Sequence, residues 1–266
     1  MQDRLLRLIF RLMPHRFAVQ LVSWMVTNSL ISRESTMGLF CPSLNCYACP
    51  AAAFSCPVGT LQHFVLGNRA PLYPLGFIGL VGAVIGRTSC GWFCPFGWLQ
   101  ELVFRLKVPK LRLPNRYNWT RYVILIGLVF VLPAVAKEPW FCKICPAGTL
   151  EAGIPMLLLN TDLQSLAGWM FVLKAGILGT LLAWMSTTRR PFCRWICPLG
   201  AMWSLFNPVS VLQIAVDRGA CTACGMCREV CPVDISIFEN PASGACIRCM
   251  ACVKACPAGA IKPVLR

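Results

Sequence analysis

A cysteine pattern near the carboxyl end of the chain occurs twice, and it restricts the possible folds more than any other feature. Each copy has the spacing Cys-x2-Cys-x2-Cys-x3-Cys-Pro, and the copies cover 221–232 and 246–257. Three thiols on one tight loop, followed by a fourth after a short helical segment, suit the corners of a cubane iron–sulfur cluster. Zinc, which also accepts four thiolates, is the alternative. The proline after each fourth cysteine favours iron.

This doubled motif resembles that of the bacterial two-cluster ferredoxins. In such motifs the fourth cysteine of each run ligates the other cluster. The resemblance implies a small α+β domain of the 2×[4Fe–4S] ferredoxin type over residues 213–266. It assigns the ligands as follows: Cys221, Cys224, Cys227 and Cys256 to cluster 1, and Cys246, Cys249, Cys252 and Cys231 to cluster 2.

The rest of the chain has the composition of a membrane protein. Of 266 residues, 57% are hydrophobic and 13% are charged, which excludes a disordered chain and disfavours an ordinary soluble enzyme. Four apolar segments are near or below the ~20 residues that cross a bilayer. We therefore predict an all-α membrane domain of four transmembrane helices within residues 17–212. The segments are 17–31, 71–85, 122–136 and 166–185.

The basic residues predict the orientation of these helices. The net charge is +15, and most Lys and Arg residues lie before the first segment, between the second and third, and after the fourth. The positive-inside rule then places both termini in the cytoplasm of a prokaryote and loops 32–70 and 137–165 outside. Residues 1–16 suit a basic interfacial helix on membrane lipid. Topology explains the basic charge, so nucleic acid is not an expected partner.

A second repeat lies beside the predicted helices. Residues 90–97 and 193–200 both read Cys-x-Trp-x-Cys-Pro-x-Gly, and each copy follows an apolar segment on the cytoplasmic side. Two helical hairpins related by a pseudo-twofold axis would bring the copies together. A packing role for buried cysteine would not explain the repeated Trp, Pro and Gly. The prediction is a third [4Fe–4S] cluster at the inner face, held by Cys90, Cys94, Cys193 and Cys197.

Together these motifs resemble the NapH-type family, the membrane quinol-dehydrogenase subunits of periplasmic nitrate reductase systems. The resemblance is strongest over 193–201 and 217–256 and extends more weakly to 90–97. It implies electron transfer at the membrane between a quinone and iron–sulfur partners. It also implies that any catalytic subunit is another chain of a multi-subunit redox complex.

Six further cysteines in the two outside loops depart from that family. The runs 56–62 and 145–151 match as Cys-Pro-x-Gly-Thr-Leu-Gln/Glu, so the outer face repeats the duplication. We predict a fourth cluster on Cys142, Cys145 and two cysteines of the first loop. Four cysteines of the first loop could instead form a complete local site, and outside disulfides are allowed. The candidates are Cys41, Cys46, Cys49, Cys56, Cys142 and Cys145.

Two single residues are candidates for charge compensation or quinone binding. Lys174 lies inside the fourth segment, where a charge indicates function unless it snorkels to the interface. His63 follows an outer motif and has an interface role as its alternative.

The sequence thus predicts an electron-transfer subunit with about four clusters. It would connect a quinone or an extracytoplasmic redox partner with a cytoplasmic partner. A membrane redox sensor or a metalloenzyme maturation factor is the alternative. One difficulty is distance, because a ~30 Å hydrocarbon core is too thick for one fast tunnelling step. Three arrangements would resolve this distance problem. The cysteine loops could dip into the bilayer, a partner could supply a bridging cofactor, or the inner and outer electron paths could be separate.

Overall fold

A computed structural model describes residues 13–29, 36, 38–165 and 168–266. Most of the predicted interfacial helix, and the end of the first predicted span, lie outside the described residues. The helices are α1 Arg16–Thr27, α2 Pro57–Leu66, α3 Leu72–Ile85, α4 Thr88–Trp92, α5 Pro95–Phe104, α6 Asn115–Ala136, α7 Trp140–Ile144, α8 Pro146–Leu159, α9 Thr161–Gln164, α10 Trp169–Thr187, α11 Phe192–Ile196, α12 Pro198–Phe206, α13 Met226–Glu229 and α14 Ala251–Ala255, and the strands are β1 Leu212–Val216 and β2 Ile261–Leu265.

Two of these helices, α6 and α10, are long and apolar enough to cross a membrane. They correspond to the third and fourth predicted spans. The second predicted span is α3, which has 14 residues, and the first contains α1, which ends at Thr27. The helical character of the predicted membrane domain is therefore present in all four segments. A bundle of four spanning helices remains a prediction.

Each of the four Cys-Pro-x-Gly sequences that precede the ferredoxin motifs begins a helix. The cysteine is the extended N-cap residue and the proline takes the first helical turn, where its fixed φ is favourable and its missing N–H costs nothing. At Cys197 the Gly200 backbone amide donates to the sulfur at 3.3 Å, and in the other three copies the amide of the equivalent glycine lies near the sulfur. Sulfur therefore lies at the positive end of a helix dipole. The N-caps are Cys56 of α2, Cys94 of α5, Cys145 of α8 and Cys197 of α12.

The middle of α6 is a π-helix over Leu125–Val131. In the π register the Leu128 carbonyl would pair with the N–H of residue 133, but Pro133 has none. The Gln62 side chain of α2 donates to this carbonyl instead, at 2.9 Å. Gln62 is fully buried, so it fixes α2 against α6 beside the outer cysteines.

The carboxyl-terminal domain packs directly on the inner cysteine loop. Its strands β1 and β2 are antiparallel and pair Leu212 with Leu265. The Trp92 indole donates to the Arg248 carbonyl at 3.0 Å, and the Asn207 amide donates to the Cys246 carbonyl at 2.7 Å. The second ferredoxin motif is thus held against the loop that carries the first inner repeat.

Candidate iron–sulfur sites

The two ferredoxin motifs enclose two separate small cavities lined by thiols. Apart from the backbone and Thr222 in the first cavity, the lining is otherwise apolar. The four thiols of each cavity suit a [4Fe–4S] cluster. Cys227 lines both cavities, so the two sites are adjacent. Around the first cavity lie Cys221, Cys224, Cys227 and Cys256, and around the second lie Cys231, Cys246, Cys249 and Cys252. These are the two sets that the ferredoxin resemblance implies, including the exchanged fourth cysteines.

The inner repeat brings its four cysteines into one buried group. The thiols of Cys94 and Cys197 each act electrostatically on Cys193 and Cys90. All four side chains are at most 6% exposed. In addition, the Gln100 amide donates to the Cys193 sulfur at 3.0 Å. A hydrogen-bonded set of four thiols in a dry site fits one cluster.

Two buried arginines flank this inner set, and sequence reasoning missed them. Arg87 and Arg190 each stand three residues before the first cysteine of their repeat. Each is 1% exposed, and each donates to a carbonyl of the opposite repeat, at Cys193 and Cys90 respectively. The shared position in the two repeats was the available signal.

The outer cysteines that come together are one pair from each loop. The Cys142 thiol interacts with those of Cys56, Cys145 and Cys46. A Cβ built on Gly59 would lie 3.5 Å from the Cys142 sulfur, and one built on Gly148 would lie 3.3 Å from the Cys46 sulfur. Glycine in each turn thus leaves room for the cysteine of the other loop.

The side chain three positions after the glycine of each outer turn accepts a hydrogen bond from a cysteine amide of the other loop. The Gln62 side chain accepts a hydrogen bond from the Cys142 backbone amide at 3.2 Å. The equivalent Glu151 accepts from the Cys46 backbone amide at 2.7 Å. Cys46 is therefore the pseudosymmetric equivalent of Cys142, although the two stand at different distances from their Cys-Pro turns. This equivalence selects Cys46, Cys56, Cys142 and Cys145 as the outer set.

The two remaining cysteines have polar partners of their own. The Cys41 sulfur lies 2.9 Å from the Ser43 hydroxyl. The Cys49 thiol donates to the Asn28 side-chain oxygen at 3.6 Å, and a donating thiol retains its proton. These contacts favour the set that is shared between the two loops over a complete local site in the first loop.

Burial controls the protonation of the thiols. It raises the pKa of Cys46 to about 11 and that of Cys246 to about 12. Backbone hydrogen bonds lower both pKa values, but by less than burial raises them. At the exposed Cys224, the Met226 backbone amide and the Thr222 hydroxyl lower the pKa. The thiols of Cys46 and Cys246 therefore carry protons at neutral pH, and metal binding would release them.

Lys174 and His63 both lie near the outer set. Lys174 acts electrostatically on the Cys142 sulfur, which suits a role in charge compensation. His63 is exposed and shares a 2.9 Å hydrogen bond with the Tyr47 hydroxyl. The Tyr47 ring covers Gly59, so His63 reaches the outer set through Tyr47.

The inner and outer sets are neighbours rather than opposite ends of a bilayer. The backbone amide of Leu44 lies near the Cys94 sulfur of the inner set. The next amide, of Asn45, lies near the Cys56 sulfur of the outer set. Two consecutive peptide groups therefore lie between the two sets.

The inner set in turn lies against the second ferredoxin set. A Cβ on Gly91 would lie 2.4 Å from the Ile247 carbonyl oxygen and 3.4 Å from the Cys249 backbone. Arg190 acts electrostatically on both Cys193 and Cys249. The four cysteine sets thus form one continuous row through the chain.

Single metal ions require closer ligands than these sets provide. Tetrahedral zinc with Zn–S bonds of about 2.3 Å draws its thiolates to within about 4 Å of each other. Within the part of the chain that the structure describes, no three His, Cys, Asp or Glu side chains are grouped in that way. A cubane binds each thiolate at a different corner and spaces them more widely.

An apolar groove of about 740 Å³ runs beside the inner and outer sets. Trp24 and Leu159 form part of its walls, and Pro95, which follows Cys94, lies at one side. Its polar groups include Asn28 and Glu151. The groove can therefore accept an apolar molecule with polar oxygens close to the cysteine row.

Comparison with known proteins agrees with the cysteine geometry. Two family models described as 4Fe-4S binding domains match the chain, one over residues 69–114, 117–156 and 167–212 and the other over 214–235 and 243–262. A protein of Methanocaldococcus jannaschii, MJ0750, is 32% identical over 69% of this chain and 75% of its own length. The chain belongs to this family of 4Fe-4S binding-domain proteins. It is an iron–sulfur electron-transfer protein of the ferredoxin type.

Other relatives in this family carry names from redox systems. The methylamine utilization ferredoxin-type protein MauN of Methylobacillus flagellatus is 30% identical over 59% of this chain and 51% of its own. The regulatory protein NosR of Stutzerimonas stutzeri is 31% identical over 54% of this chain, which covers 20% of NosR. No solved structure matches. The finer resemblance to NapH-type proteins remains a prediction.

Proposed function

We propose that this chain is an integral membrane subunit that conducts electrons through four [4Fe–4S] clusters. The observation that carries the proposal is the continuous row of four cysteine sets, from the outer set through the inner set to the two ferredoxin sets. A bound [4Fe–4S] cluster accepts and releases one electron, at a potential set by hydrogen bonds to sulfur, charge and burial. The chain itself supplies the thiols, the helix N-termini and the buried cations around them.

The ends of the row suggest the two partners. At the ferredoxin end, Cys224 is exposed, so a cytoplasmic redox partner can approach the first ferredoxin set. At the other end, His63 and Tyr47 connect the outer set to solvent. An extracytoplasmic redox protein docked there would exchange electrons with the outer set.

A quinone is the second candidate at the outer end. The groove next to Glu151 and Pro95 is mostly apolar, as an isoprenoid molecule requires, while Asn28 and Glu151 provide partners for ring oxygens. The two long apolar helices α6 and α10 support a membrane location, where such a molecule dissolves. The same proposal places both termini in the cytoplasm. It also includes membrane crossing by the two shorter predicted spans.

A redox sensor is the competing function. NosR, a relative over about half of this chain, is named a regulatory protein. A conductor should co-purify with a catalytic or redox subunit and should support rapid electron flow. A sensor should do neither.

The direct test breaks the row at one point and leaves both ends intact. Full-length protein, purified without oxygen and fully reduced, is mixed with a water-soluble quinone analogue, and reoxidation of the ferredoxin clusters is followed by rapid-freeze EPR. Cys193→Ser, which removes one inner ligand, should slow this reoxidation at least about tenfold, because each step depends on close neighbouring sites. Cys41→Ser, outside the four sets, should leave the rate unchanged.

The same rate in Cys193→Ser and in the unsubstituted protein would contradict the proposal. It would mean that the quinone analogue reacts with the exposed ferredoxin sites directly and that the row carries no current.

A further inference from the structure

The two arginines beside the inner set are equivalent in position but not in charge balance. The Arg190 guanidinium lies 2.7 Å from the Glu101 carboxylate, and Glu101 also pairs with Arg16. Arg87 has only neutral acceptors: its guanidinium donates to the carbonyls of Cys193, Gly244 and Ala245 at 3.0 to 3.1 Å. Among the described residues, no carboxylate forms an ion pair with Arg87.

A buried cation without a counterion is costly, so its place in the fold needs a reason. Arg87 is 1% exposed, and its Nε–H is buried without an acceptor in the described part of the chain. Its charge also acts electrostatically on the Cys90 thiol. Arg121, 3% exposed, lies near Arg87 and Cys197 and adds a second cation on the same side. The negative charge that balances Arg87 must therefore come from the four inner cysteines and the cluster that they would hold.

Arg87 also joins two sites. The carbonyls of Gly244 and Ala245 directly precede Cys246, the first ligand of the second ferredoxin set. The same guanidinium donates to the Cys193 carbonyl of the inner set at 3.0 Å and acts electrostatically on Cys90. One rigid planar group thus fixes the spacing between neighbouring positions in the row.

We propose that Arg87 is the positioning residue that raises the reduction potential of the inner site and holds the second ferredoxin set against it. The inference rests on the proposed function, since it concerns the cluster that the inner set would hold. A cluster becomes more negative when it gains an electron, so an uncompensated cation favours the reduced form. Arg190 has a smaller net effect, because it shares the Glu101 carboxylate with Arg16 whereas Arg87 has no carboxylate partner among the described residues.

Redox titration followed by EPR tests this assignment. The inner signal is identified as the one that is lost in Cys193→Ser. Arg87→Met should lower the midpoint potential of this signal by at least about 59 mV, which is a tenfold change in the ratio of reduced to oxidised site for one electron. Arg87→Lys keeps the positive charge, and it should shift the midpoint potential by no more than about half as much. The matched control, Arg190→Met combined with Glu101→Gln, removes one charge of each sign and should also shift less than Arg87→Met.

Each outcome decides the proposal. An unchanged potential in Arg87→Met, or equal shifts in Arg87→Met and the matched control, would overturn it. If Arg87→Met loses the inner iron while Arg87→Lys keeps it, the dependence on positive charge is supported. Equal loss from both variants would overturn the electrostatic role. Iron near zero in the unsubstituted protein would instead refute the proposed function, and so the two failures are distinguishable.

Discussion

At the scale of single residues, the fourth position of the Cys-Pro-x-Gly turns decides how closely two halves of the chain can approach. The space beside Gly148 is filled by the sulfur of Cys46 from the opposite loop, and the space beside Gly59 is filled by the Tyr47 ring, with the Cys142 sulfur next to it. The space beside Gly97 and Gly200 is filled by Arg190 and Arg87, at 3.0 and 2.9 Å from an added Cβ. Glycine is required in these turns for close approach, and not for an unusual backbone conformation.

The choice of outer ligands gives a prediction with internal controls. Cys46→Ser should lower the iron content by about four atoms per chain, because the outer set loses one of its four thiols. Cys41→Ser and Cys49→Ser should retain the full content, since these thiols have Ser43 and Asn28 as partners. Iron and sulfide assays after anaerobic purification measure the difference. Equal losses in all three variants would contradict the assignment.

Part of the site could be predicted from the sequence, and part could not. The ferredoxin and inner sets follow from spacing and repetition alone. The outer set does not, because Cys46 stands ten positions before Cys56 whereas Cys142 stands three before Cys145. Only the exchanged contacts of Gln62 and Glu151 show that Cys46 and Cys142 are equivalent.

At the scale of secondary-structure elements, α2 depends on one buried amide. Gln62 satisfies the Leu128 carbonyl and the Cys142 amide together. Gln62→Met should destabilise the protein by about 1–3 kcal/mol, because two buried backbone groups lose their partner. Thermal unfolding followed by cluster absorbance measures this. Gln164→Met on the exposed α9 is the control and should change stability by about 0.5 kcal/mol or less.

The packing of α4 on the carboxyl-terminal domain gives a second prediction at this scale. Gly91→Ala places a methyl group 2.4 Å from the Ile247 carbonyl oxygen, which must displace backbone. We expect a loss of about 1–3 kcal/mol and slower transfer between the inner and second ferredoxin sites. Gly179→Ala in α10, where nothing lies within 4 Å, should be neutral or stabilising. Equal stability of both variants would show that the contact is not tight.

The π-helix in α6 could not be predicted from hydropathy. The apolar pattern of 122–136 indicates only a span. The shift in register requires a partner for the Leu128 carbonyl, and that partner, Gln62, is distant in the sequence.

At the scale of the whole molecule, the row of cysteine sets removes the distance problem posed by the bilayer. The sequence places the inner and outer motifs on opposite faces by their flanking charges. In the fold, the peptide amides of Leu44 and Asn45 lie near one sulfur of each set. Non-helical backbone of this kind is tolerated at membrane depth when it is buried in protein. Apolar periodicity and charge counts carry no information about such loops.

The orientation of the chain is a further prediction at this scale. The distribution of basic residues places both termini in the cytoplasm. A reporter enzyme that is active only outside the cytoplasm should be inactive when fused after Arg266 and active when inserted after Ser165. Activity at Arg266 alone would reverse the proposed direction of the row.

The central claim is that the 18 cysteines hold four [4Fe–4S] clusters and leave two thiols over. The most direct measurement is the iron and acid-labile sulfide content of the full chain after anaerobic purification. Four clusters predict about 16 iron and about 16 sulfide per chain. About eight of each would limit clusters to the ferredoxin domain, and a content near zero would contradict the account.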